Sequence, residues 1–130
     1  MDRTAIRVVQ AATAALAAVS IGAGLWAMID PHGFYASAAT YPPYNVHLIH
    51  DIGAFQIGLG SCLVAGLLVG DALFAVLVGN AIAAVAHFVG HIVDRSIGGE
   101  NDPVIFGVLA LLFVLVAVAR GLMPNRSRSP

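Results

Sequence analysis

The sequence predicts an all-α fold: a four-helix transmembrane bundle with both termini in the cytoplasm. Three observations lead to this prediction. Of the 130 residues, 59% are hydrophobic and only 10% are charged, whereas soluble domains carry roughly 25% charged residues. The apolar residues form four long runs separated by residues that break helices. The arginines gather near the two ends of the chain, with only Arg95 elsewhere, and the positive-inside rule assigns those ends to the cytoplasm.

The first helix is predicted over about residues 8–29. No residue from Val8 to Ile29 is charged, and at 1.5 Å per residue such a run crosses roughly 30 Å of hydrocarbon. It ends where Pro31 and Gly33 break the helix. The segment Pro31–Tyr44 is predicted to be a loop on the membrane surface, because it is rich in the aromatic residues that favour the interface.

The second and third helices are predicted over about residues 46–69 and 72–93. Asn45 is a good N-cap for the second helix. Gly70 closes that helix and Asp71 is expected to cap the next one. Because the link is so short, the two helices are antiparallel neighbours.

The fourth helix is predicted over about residues 104–119. Asp102 followed by Pro103 is a typical helix start. We expect residues 1–123 to form a single domain and residues 124–130 to be a disordered cytoplasmic tail. The partners expected from composition are the lipid bilayer and either a homo-oligomer or a larger membrane complex. The formal net charge of −1 argues against a nucleic-acid partner.

Ionisable residues gather near the outer ends of the second and third helices. The Gly70-Asp71 turn is the midpoint of the hairpin, so these ends share one depth in the membrane. Residues three and four apart share a helix face, which gives two stripes: His47, His50 and Asp51 on one helix, and His87, His91 and Asp94 on the other. Such residues are costly in lipid and indicate a functional site.

Imidazole and carboxylate groups together bind Zn²⁺, Cu²⁺ or Fe²⁺. If the stripes face each other, they form a transition-metal site. The predicted metal ligands are His47, Asp51, His87 and His91, and the predicted supporting cofactor-binding residues are Asn45, His50 and Asp94. Gln56 and Asn80, one to two turns deeper, would extend a polar path inward.

Three alternatives remain open for these residues. They are a polar cap in the headgroup region, hydrogen-bonded internally and to water; a proton relay or quinone-binding site; and a haem site. The histidine pairs are about 6 Å apart along each axis, so at most one haem fits. A haem ranks behind a metal ion.

The segment YNVHLIHDIGAF and the later HFVGH resemble the DoxX-like group of small four-helix bacterial membrane proteins, and more narrowly an uncharacterised subgroup. The positions that match the subgroup pattern are Tyr44, Asn45, His47, Asp51, Gly53, His87 and His91. The pattern expects proline where this chain has Ala86. The resemblance implies a multi-pass protein of the bacterial plasma membrane, a site centred on the matching His and Asp residues, and a link to quinone-coupled oxidation.

The function predicted first is a small membrane protein whose outward-facing His/Asp site binds a transition metal and serves a redox or accessory role. The main alternative is a non-catalytic structural subunit of a larger membrane complex, because small residues on the second helix permit close helix contact. A quinone- or haem-binding redox subunit is the other alternative. No motif in the sequence identifies a reaction.

Overall fold

The computed structural model describes residues 3–99 and 102–123, and over these ranges the chain forms helices and short connections without a strand. The helices are α1 (Arg3–Ile29), α2 (Pro31–Ala38), α3 (Val46–Val69), α4 (Leu73–Val93) and α5 (Asp102–Gly121). The four helices other than α2 are long and apolar enough to cross a membrane. The all-α class is confirmed, and the helix set is that of a multi-pass membrane protein.

Two boundaries differ from prediction because charged residues are compatible with helix ends. Helix α1 begins at Arg3 instead of residue 8, and α5 covers Asp102–Gly121 instead of 104–119. The predicted tail, residues 124–130, lies outside the described residues.

The segment after α1 is not simply a loop, because it contains α2. The Asp30 side chain accepts a hydrogen bond from the backbone N–H of Gly33 at 2.9 Å, and Pro31 occupies the first helical turn. A capping carboxylate followed by proline is a typical helix start. Pro31 therefore both ends α1 and begins α2.

The predicted caps of the central hairpin are partly confirmed. The Asn45 side chain accepts hydrogen bonds from the backbone N–H groups of His47 and Leu48. Gly70 closes α3 at φ 69°, a left-handed conformation that suits glycine. The prediction for Asp71 is wrong, since α4 starts after Ala72 and has no side-chain cap.

The long helices pack as two pairs, α1 along α3 and α4 along α5. The backbones of α1 and α3 approach closely at glycines. A Cβ atom added at Gly24 would lie 2.7 Å from the Gly53 carbonyl oxygen, and one at Gly60 would lie 3.0 Å from the Ala17 oxygen. Such contacts leave no room for a side chain, so the first pair is tightly interlocked.

The two ends of the bundle differ in packing. At the end with the Gly70 turn, here called the turn end, Leu63 and Leu77 are fully buried in a core with Leu16, Leu73 and Phe113. The opposite end, here called the loop end, has α2 and the 39–45 and 94–99 segments. It contains a smaller apolar cluster. The short turn holds α3 and α4 together at one end only, which leaves space between the two pairs at the other.

Candidate functional site

A cavity of about 360 Å³ lies between the helix pairs at the loop end. Its walls are mainly apolar and aromatic, with Ala23, Phe34, Tyr35, Leu48, Ile52 and Phe106 among the lining residues. Its polar lining residues are Tyr41, Asn45, Gln56, His87, His91 and Asp94. An apolar pocket of roughly 300–1,000 Å³ with a few convergent polar groups is the usual form of a small-molecule site.

A chain of hydrogen bonds connects the 39–45 loop to α4 at this cavity. The Tyr41 hydroxyl lies 2.8 Å from His91 Nδ1, and His91 Nε2 lies 2.8 Å from His87 Nε2. One imidazole must donate and the other accept in the contact between the two Nε2 atoms. The chain therefore has a direction, which reverses when both rings change tautomer.

Helix α5 holds the two imidazole rings in place through Phe106. The Phe106 ring stacks on His91 with centroids 4.1 Å apart and planes 15° apart. Its centroid lies 4.4 Å from that of His87. A residue of the neighbouring helix thus restricts the orientation of both histidines.

Asp102, the first residue of α5, provides a carboxylate beside this chain. Its Oδ2 atom lies 3.4 Å from His91 Nδ1, with the two side chains 16% and 11% exposed respectively. Within the part of the chain that the structure describes, this buried oxygen has no hydrogen-bond partner. A buried acceptor of this kind favours a proton donor placed near it.

The Tyr41 side chain lies in the loop, outside the membrane-spanning helices. Burial raises the pKa of the Tyr41 hydroxyl above its ordinary value of 10.0, and the nearby carboxylates of Asp102 and Asp94 raise it further. The negative phenolate is disfavoured by both effects. Tyr41 therefore keeps its proton at neutral pH and can donate it either to His91 or to Asp102.

The α3 stripe does not join this site. His47 Nε2 pairs with Asp51 Oδ2 at 3.6 Å on an exposed surface, where the side chains are 84% and 50% exposed. His50 is half-buried, and none of these three residues lines the cavity. Helix α3 instead turns Leu48 and Ile52 towards it.

The structure does not bring the two stripes together. Of the seven predicted site residues, the structure brings Asn45, His87, His91 and Asp94 to the cavity wall and leaves the other three outside. Over residues 3–99 and 102–123, no group of three or more His, Cys, Asp or Glu side chains is arranged to hold a metal ion. The Nε2 atoms of His87 and His91 are hydrogen-bonded to each other. Metal binding thus remains a prediction that would require these rings to separate.

Tyr41, Asp102 and Phe106 are site residues that sequence analysis missed. Tyr41 is 50 residues from its hydrogen-bond partner, and no local spacing connects them. The Asp102-Pro103 pair is the start of a helix, as predicted. Because a helix start already explains an aspartate at this position, the sequence gives no sign that Asp102 also lies beside His91. Phe106 is one of several phenylalanines in apolar helices, and nothing in its local sequence indicates a role at a site.

Comparison with protein-family models, with curated proteins and with solved structures gives no match for this chain.

Proposed function

We propose that this chain is a multi-pass protein of the bacterial plasma membrane, with both termini in the cytoplasm, that binds a quinone-class ligand at its loop end. The observation that supports this most is the apolar, aromatic-walled cavity bordered by the Tyr41–His91–His87 hydrogen-bond chain. Topology is supported by the even number of long apolar helices among the described residues together with the distribution of arginine.

The lining of the cavity favours a flat ring with a hydrogen-bonding group and an apolar remainder. Such a compound dissolves in the bilayer and reaches the site through lipid. Phe34, Tyr35 and Phe106 supply aromatic surface, against which rings pack favourably. A few polar groups at one side of an apolar pocket fix the orientation of such a ligand.

His87 is the residue that we expect to contact the polar group of the ligand. It lines the cavity, and its Nε2 is engaged by His91. Among the described residues its Nδ1 has no hydrogen-bond partner, so this nitrogen is available to the ligand.

The hydrogen-bond chain suits both oxidation states of a quinone. If Tyr41 donates to His91 Nδ1, then His91 Nε2–H donates to His87 and the Nδ1–H of His87 donates to a quinone carbonyl. If Tyr41 donates to Asp102, then His91 Nδ1–H donates to the Tyr41 oxygen, and His87 Nδ1 accepts from a quinol hydroxyl. The first direction uses the hydrogen bonds as they stand. The second also requires the Tyr41 hydroxyl to turn towards Asp102 Oδ2, which accepts no hydrogen bond among the described residues.

The protein contains an internal reporter for a binding experiment. Trp26 is its single tryptophan, and its ring lies 5.3 Å from that of Phe34, which lines the cavity. Titration of decylubiquinone into the protein in lipid nanodiscs should quench Trp26 fluorescence in a saturable manner. His87→Phe should abolish the saturable component.

His47→Phe is the matched control, since it makes the same change one helix away, on a surface that does not line the cavity. We expect it to bind like the wild type, with helical content checked by circular dichroism in both variants. Quenching that never saturates, or that is equal in the two variants, would show that the cavity does not bind quinone.

A structural subunit is the second candidate function, and an exposed face on α3 favours it. A Cβ atom added at Gly58 would contact nothing within 4 Å, and the neighbouring Ala54, Ser61 and Ala65 are also exposed. Small residues of this kind permit close contact with another helix. Gly58→Trp should dissociate such a complex in mild detergent, whereas His87→Phe should leave it intact.

A further inference from the structure

A second cavity of about 120 Å³ lies deeper between the helix pairs. It shares four lining residues with the first cavity, namely Ala23, Gln56, His87 and Phe106. His87 thus stands where the two cavities adjoin. The lining of the second cavity also includes Ser20 of α1 and Asn80 of α4.

Both of these polar residues are more than nine-tenths buried, with exposed fractions of 7% for Ser20 and 5% for Asn80. The Asn80 Nδ2 group donates to the Val76 carbonyl at 3.1 Å, while its Oδ1 accepts no hydrogen bond from the described residues. The Ser20 hydroxyl likewise has no protein partner there. Both residues line the cavity.

Thr13, two turns nearer the turn end on α1, shows the contrasting arrangement. It is fully buried, and its Oγ1 donates to the Val9 carbonyl at 2.8 Å. A buried hydroxyl in this bundle is therefore satisfied by its own helix where it faces packed side chains. Ser20 lacks such a bond where it faces a cavity.

Buried polar groups in proteins are nearly always paired, either with protein or with ordered water. The lining of the second cavity is mainly apolar, with Ser20, Gln56, Asn80 and His87 as its polar residues. A cavity with several polar partners holds water when it is large enough, and at roughly 30 Å³ per molecule this one has room for about four. The oxygens of Ser20 and Asn80, with His87 and Gln56, provide the partners. The cavity does not continue to the other end, because Leu63 and Leu77 close the bundle below it with no exposed surface.

We propose that the second cavity is a water-filled half-channel that runs from His87 to Ser20 and Asn80 in the middle of the bundle and ends at Leu63 and Leu77. It would accept water and polar molecules of similar size. Water in the second cavity would lie next to His87, on a different side from a ligand in the first cavity. The proposal does not depend on the identity of that ligand.

Cysteine reactivity tests this proposal, because a thiol reacts as its thiolate and the thiolate forms in water but not in a dry core. The native Cys62, which is exposed, is first replaced by alanine. Ser20→Cys and Thr13→Cys are then compared in nanodiscs. Both exchange a small hydroxyl residue for a thiol on the same helix.

The probe is methyl methanethiosulfonate, which is small, uncharged and able to enter the membrane, and the product is measured by intact mass. We expect Ser20→Cys to react at least tenfold faster than Thr13→Cys. Equal rates would overturn the proposal. In the double variant Ser20→Cys/Asn80→Leu, which removes a polar partner at similar volume, the rate should fall to that of Thr13→Cys. A rate that stays high would also overturn the proposal, because it would show that access to Ser20 does not depend on the polar partner across the cavity.

Discussion

The histidines of α3 and α4 have similar spacing but different contacts. His47 and Asp51 are four residues apart and pair with each other on an exposed surface. His87 and His91 are also four apart, yet they hydrogen-bond to each other and stack against Phe106. Spacing along a helix determines which residues share a face. The packing of the neighbouring helices determines which face points inwards.

The largest expected effect is a loss of stability on substitution of His91, the middle member of the Tyr41–His91–His87 chain. His91→Ala removes the partner of both Tyr41 and His87 and the surface on which Phe106 stacks. Each hydrogen bond contributes roughly 0.5–1.5 kcal/mol. His91→Ala removes two of them, the part-buried one to Tyr41 and the exposed one to His87, so the total cost is about 1–3 kcal/mol. We expect a loss of that size in the free energy of unfolding, measured by denaturant titration in detergent micelles.

His47→Ala is the control for that measurement. An exposed substitution usually changes stability by less than about 0.5 kcal/mol. A loss for His47→Ala as large as that for His91→Ala would show that the stripe on α3 is also part of a packed site.

Removal of a single hydroxyl should have a smaller effect. Tyr41→Phe deletes the first hydrogen bond of the chain, and a typical bond of this kind contributes about 1 kcal/mol. The expected result is a loss of that order in unfolding free energy, together with weaker quinone binding in the Trp26 assay. Tyr44→Phe is the control, since Tyr44 contacts His32 and Tyr35 through its ring. If Tyr44→Phe weakens binding equally, the effect does not arise from the hydrogen-bond chain.

Alkaline pH should weaken the site through the same residue. The pKa of Tyr41 is raised in the folded protein above 10.0, so the neutral hydroxyl is favoured by folding. This contribution to stability is fully present below pH 10 and is lost as the pH rises from there through the folded-state pKa. Wild-type stability should therefore fall more steeply above pH 10 than that of Tyr41→Phe, as measured by thermal unfolding across pH 8–12. Parallel curves would contradict the assignment.

The exposed contact between His47 and Asp51 on α3 should contribute least. Asp51→Asn removes the partner of His47, and exposed pairs four residues apart on a helix contribute about 0.3–0.5 kcal/mol. We expect no change in ligand binding and a stability change within that range, tested by the same unfolding and fluorescence measurements. A clear loss of quinone affinity would place Asp51 in the functional site after all.

Features that depend on adjacent residues were predictable from the sequence. The length of the apolar runs predicted the four long helices. The residue types of Asn45 and Gly70 predicted the N-cap of α3 and the turn that follows it. The short helix α2 was missed because Pro31 was considered only as the end of α1. Its role as the start of a new helix depends on the Asp30 cap.

The candidate site was only partly predictable, for a physical reason. His87 and His91 were identified because ionisable residues in an apolar helix need a partner. The identity of that partner depends on how the 39–45 loop and α5 fold against α4. Sequence analysis placed the partners of His87 and His91 on the preceding helix, α3. In the structure the partners are Tyr41 and Asp102, which reach α4 only through tertiary packing.

The contacts of α5 also imply an order of assembly during membrane insertion. Helices emerge from the ribosome from the N-terminus, so the interlocked α1 and α3 are available before α5. Until α5 inserts, His87 and His91 lack the ring of Phe106 and the carboxylate of Asp102. The packing around the Tyr41–His91–His87 chain is therefore completed last, and a nascent chain paused before Asp102 would present two histidines without their contacts to α5.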